Sequence, residues 1–90
     1  MPLFTVLLEF DGGTHVSQFR AVSPRAAAVK HASHVIGNKA IAPLVLRKRL
    51  AKDLLEDIPI KIEGVRNVWC CSAVVGRKLA LVNIIETVQT

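Results

Sequence analysis

The sequence predicts a two-layer α+β domain: an antiparallel β-sheet built from an N-terminal and a C-terminal hairpin, with two helices packed on one face. Three observations carry this. Apolar residues alternate with a period of two near the start of the chain and again from Ile58, the middle carries a helical period opened by proline-based start signals, and glycine-containing turns sit where each hairpin must reverse.

The first hairpin spans residues 3–22. Phe4, Val6, Leu8 and Phe10 alternate with Thr5, Leu7 and Glu9, as in a strand with one face buried. Asp11-Gly12-Gly13-Thr14 supplies the positive φ that tight hairpin loops demand. With Gly12-Gly13 as the loop, Val6 faces Phe19 and Phe4 faces Ala21, which gathers the apolar residues on one side. A one-residue slip would set Val6 against Gln18, so the first register is expected.

Ser23-Pro24 is a helix start, serine as N-cap and proline as first helical residue. The helix runs to about Ile36 with a stripe of Ala28, Val29, Ala32, Val35 and Ile36, and Gly37-Asn38 ends it, with glycine suited to a left-handed C-cap. Pro43 opens a second helix to about Leu55, with Leu46, Leu50 and Leu54 at i, i+4, i+8. Pro59 terminates that stretch, because the residue before a proline leaves the helical region. Ile58, Ile60 and Ile62 return to period two. Val65–Val75 and Leu79–Val88 then form the second hairpin around Gly76-Arg77-Lys78. Val74-Val75 and Leu79-Ala80-Leu81-Val82 are apolar on both faces, which marks a strand pair covered on both sides. One helical layer covers only one face, so self-association through the C-terminal sheet is expected.

Ninety residues, 51% of them hydrophobic, form one domain over 1–90 whose core rests on Val, Ile, Leu and Ala, since only three Phe and one Trp are present. Cys70 and Cys71 are neighbours with no third cysteine to pair with, which fits a reducing, cytoplasmic setting. No apolar stretch approaches the ~20 residues needed to span a bilayer, and the start of the chain lacks the basic region of a signal peptide, so no membrane association is expected.

The hairpin followed by Ser23-Pro24-x-x-Ala27 and a helix resembles, in architecture, the opening of small HicB-like antitoxin domains. The resemblance covers residues 3–36. A further strand before the helix is missing here and the second half has no counterpart, so it stands as an analogy of architecture alone.

Catalytic and metal signals are thin. Asp53, Glu56 and Asp57 at i, i+3, i+4 read as a solvated helix end, and His31 and His34 as surface histidines lacking a third ligand. Cys71 in the run Val68-Trp69-Cys70-Cys71-Ser72-Ala73 reads as a small buried hydrophobe and not as a nucleophile. Gly12-Gly13 lacks the spacing and the lysine of a phosphate loop. No enzyme activity, metal or cofactor is therefore expected. Trp69 suits either the core or an interface.

Charge is the feature that points to function. The net +5 is uneven: residues 12–52 hold eight basic side chains and no acid, whereas residues 53–90 hold four basic and five acidic ones. Arg25, Lys30, Lys39, Arg47, Lys48, Arg49 and Lys52 form the candidate polyanion-binding set, spread over both helices and their connector. Since Arg47-Lys48-Arg49 runs around a helix, not all three can address one surface. The expected partner is nucleic acid or an acidic protein, met by a homo-oligomer; the alternative is an assembly module without nucleic-acid binding, and a third, weaker option is a small cysteine-dependent enzyme.

Overall fold

The computed structural model describes residues 1–88. Five strands form one antiparallel sheet in the order β2-β1-β5-β4-β3, with β1 at Leu3–Phe10, β2 at Gly13–Arg20, β3 at Ile60–Lys61, β4 at Val68–Val75 and β5 at Lys78–Thr87. Helices α1 (Pro24–Gly37) and α2 (Leu44–Glu56) are inserted between β2 and β3 and cover one face. The α+β class, the two hairpins and the single helical layer are as the sequence predicts.

The period-two pattern of β1 becomes an alternation in space. Phe4, Val6, Leu8 and Phe10 turn under the helices with Ala80, Val82 and Ile84 of β5 and Cys71, Ala73 and Val75 of β4. Leu50, Ala51 and Leu54 of α2 close this core. Helix α1 contributes Ala27, Ala28, Ala32 and Val35, short side chains that let its backbone lie close to the sheet. Fully buried Phe4, Leu8, Leu50 and Ile84 dominate the packing, and each stabilises by about 1.5–3 kcal/mol through transfer from water alone.

Three local expectations are revised. The first loop is Asp11-Gly12, with φ of 50° and 80°, so Phe4 faces Phe19 and Val6 faces Ser17. Asp-Gly with positive φ at both positions is the favoured two-residue turn, and it moves the pairing by two residues, which keeps every side chain on its expected face. The second hairpin turns the same way on Gly76-Arg77, with φ of 58° and 68°. Gly37 does not adopt a left-handed cap: it stays helical and Asn38 leaves in an extended conformation, its side chain accepting from the Ala40 N–H. The isoleucine run 58–62 yields only the two-residue β3, because Ile58 and Ile60 have no layer to pack against and remain 70% exposed.

The sheet's second face carries no helix. In its central row Val16, Leu7, Asn83, Cys70 and Ile60 lie side by side across all five strands.

Candidate functional site

The seven cations singled out by the sequence separate into two groups. Three are engaged by backbone carbonyls. Arg25 donates from both terminal nitrogens to the carbonyls of Asp57 and Leu55, each at 2.9 Å, and so fastens the end of α2. Lys30 donates to the Arg20 carbonyl at the end of β2. Arg47 points inward, 8% exposed; its Nε donates to the Ala42 carbonyl at 2.8 Å and its Nη1 to the Ile36 carbonyl. Helix ends leave carbonyls without intrahelical donors, and these arginines supply them.

The other four are exposed and have no hydrogen bond or ion pair among the described residues: Lys39, Lys48, Arg49 and Lys52. The last three share one side of α2. At 100° per residue, buried Arg47, Leu50, Ala51 and Leu54 define the inner face, while Lys48, Arg49 and Lys52 fall within an arc of about 100° on the outer one. Val45, 79% exposed, lies in the same arc, as does the acidic Glu56 one turn beyond Lys52. Arg25 binds the C-terminal end of this helix and Lys39 precedes its N-terminal end, about 20 Å away, so the set does not converge on one point.

Histidines and cysteines occupy separate environments. His31 is 2% exposed on α1, its ring edge-to-face with Phe19 at 6.1 Å. Burial, aided by His34, lowers its pKa to about 4. Thus His31 is a core side chain and not the surface residue that its sequence neighbours suggested. His34 is exposed and contacts the same Phe19 ring at 5.7 Å. Cys71 faces the core, and its thiol is pushed up to about 11 by burial, with Asp57 and Cys70 adding and Arg25 opposing. Asp57 is itself engaged, its carboxylate accepting from the Ser72 N–H of β4 at 2.8 Å. Among the described residues no three His, Cys, Asp or Glu side chains are grouped to hold a metal ion. Trp69 packs against the core, edge-to-face with Phe4 at 6.1 Å.

A depression of about 580 Å³ at Lys61–Arg66 is walled by exposed loop residues and open to solvent. No helix of the described residues is long and apolar enough to cross a membrane.

The fold and these surfaces define a class, a small α+β module with one covered and one open sheet face. Compared with protein-family models, with curated proteins and with solved structures, the chain matches none.

Proposed function

We propose that this chain is a non-enzymatic binding module that self-associates through its sheet and offers the outer face of α2 to an anionic polymer, with nucleic acid the favoured partner. The observation that carries the reading is the outward arc of Lys48, Arg49 and Lys52, three exposed cations on one helix face that form no ion pair among the described residues. Phosphates attract such a face and release counterions from it, which favours binding without base readout. Arg25, Lys30 and Arg47 are structural in this reading. The burial of Cys71 and its raised pKa weigh against thiol chemistry, since the thiolate is the reactive form. Two free thiols fit a cytoplasmic module.

Fluorescence anisotropy with mixed-sequence DNA and RNA at low salt tests the proposal. Binding in the range of about 1–100 µM is expected, and reversal of all three charges (K48E, R49E, K52E) abolishes it. Absence of binding at roughly 50 µM protein refutes the nucleic-acid part. A second reading, an assembly module whose basic face meets an acidic protein or nothing, draws on the uncovered apolar sheet face. Light scattering favours it if an oligomer persists at high salt without nucleic-acid affinity.

A further inference from the structure

The open sheet face is apolar in a way that solvent alone does not explain. Val16 and Val74 are each 63% exposed on it and Leu79 is 55% exposed, with Leu7, Leu81 and Ile85 half-buried between them. The strands place only two charged side chains there, Glu9 and Arg20, both on the β1–β2 side. Four strands of eight residues cover about 500 Å² as a flat footprint. That exceeds the ~400 Å² per partner of packing contacts and approaches the ~800 Å² of a standard stable interface once side-chain relief is included. Apolar side chains exposed across the middle of such a face, with polar ones around them, mark an interaction surface.

The centre of the patch holds a polar residue. Asn83 stands mid-way along the middle strand, with Leu7 and Cys70 beside it and Leu81 and Ile85 before and after it on β5. Its carboxamide makes no hydrogen bond among the described residues. A carboxamide has both donors and an acceptor, so two of them related by a two-fold axis satisfy each other reciprocally.

We infer that a second copy of this chain covers the open face, stacked with its strands antiparallel about a two-fold axis that crosses β5 at Asn83. This deepens the self-association part of the proposed function and is independent of the α2 surface. The middle of the face is self-complementary about that axis, while Leu79 at one end of β5 meets Thr87 at the other. The central row meets itself, Leu7 on Leu7 and Asn83 on Asn83, while Ile85 meets Leu81 of the other copy. Glu9 meets the row that holds Thr5 and Gln18, where the Gln18 amide already donates to the Thr5 hydroxyl at 3.0 Å and keeps a second N–H for a carboxylate. Two sheets packed in this way lie about 10 Å apart with strand directions within roughly 30°. A single buried asparagine pair fixes register and copy number at some cost in affinity, the use best attested for buried polar groups.

Sedimentation velocity over a concentration series tests this, with circular dichroism confirming the fold of each variant. The wild-type chain sediments as a dimer at micromolar concentration and high salt. Asn83→Asp places two carboxylates on the axis and weakens the dimer at least tenfold at pH 7; Asn83→Leu preserves association but loses the single stoichiometry. Ser33→Asp, on the exposed side of α1, changes nothing. If Asn83→Asp unfolds the chain, Leu7→Asp and cross-linking at Cys70 with a short bis-maleimide decide, since Cys70 faces Cys70 of the other copy only under this axis. A monomer at ~100 µM overturns both the dimer and the self-association reading. A dimer indifferent to Asn83→Asp, or one not cross-linked through Cys70, overturns the axis and leaves self-association standing.

Discussion

Arg47 of α2 donates to the carbonyl of Ile36, the penultimate residue of α1, and thereby ties the two helices together where the chain passes between them. The same guanidinium holds the Ala42 carbonyl just ahead of α2. A residue in the middle of the basic run is thus a structural clamp. Replacing it by methionine leaves those carbonyls without their charged donor and is expected to cost about 2–4 kcal/mol in urea denaturation. Arg47→Lys recovers little, because one ammonium does not reproduce the fork. The folded fraction of either variant binds nucleic acid like the wild type.

The outer face of α2 has an electrolyte signature. If Lys48, Arg49 and Lys52 each contact a phosphate, the logarithm of the affinity falls with the logarithm of salt concentration at a slope of about −3 on duplex DNA. Each single reversal to glutamate reduces the slope by about one, while Arg25→Gln and Lys30→Gln leave it unchanged. A titration between low and physiological salt reads this directly.

Acid sensitivity follows from His31. Its folded pKa, about 4, lies below the ordinary 6.5, so the unfolded chain binds the proton more readily and protonation opposes folding. The stability that its neutral form supports is complete above pH ~6.5 and declines as pH falls towards 4. Between pH 7 and 5 the loss is about 2 kcal/mol from this group. His31→Leu flattens the stability profile across that interval, as chemical denaturation at each pH will report.

Thiol labelling distinguishes the two neighbours in sequence. Cys70 stands half-buried on the open face and Cys71 is 4% exposed beneath the helices with its pKa raised to about 11. At pH 8 a maleimide is expected to modify one thiol of the native chain, Cys70, and to reach Cys71 only on global unfolding. Closure of the open face by a second copy slows the Cys70 reaction as protein concentration rises.

Alternation and turn chemistry made much of the fold legible before any coordinates. A period-two run identified β1, the turn at Gly76-Arg77-Lys78 identified the hairpin of β4 and β5, and Ser23-Pro24 placed the start of α1, where the serine hydroxyl accepts from the Ala26 N–H at 3.1 Å. The two-sided apolarity of Val74 and Leu79–Val82 already marked the sheet face that the helices leave open. The hairpin pairing was misplaced by two residues because Gly12-Gly13 and Asp11-Gly12 both satisfy a positive-φ turn, and either leaves the same residues inward.

The sequence by itself determined the helices, the hairpins and the excess of positive charge in residues 12–52, because periodicity, capping and composition act over a few residues. Tertiary structure alone decided which charges remain available. Arg25, Lys30 and Arg47 each meet at least one carbonyl 10 to 32 residues away, a partner that no local pattern reveals. It also decided that β1 and β5, the first and last strands, lie side by side, joining Leu7 to Asn83 in one continuous face. Long-range strand pairing is set by how the whole core closes, and through it an ordinary asparagine came to stand at the centre of an apolar surface.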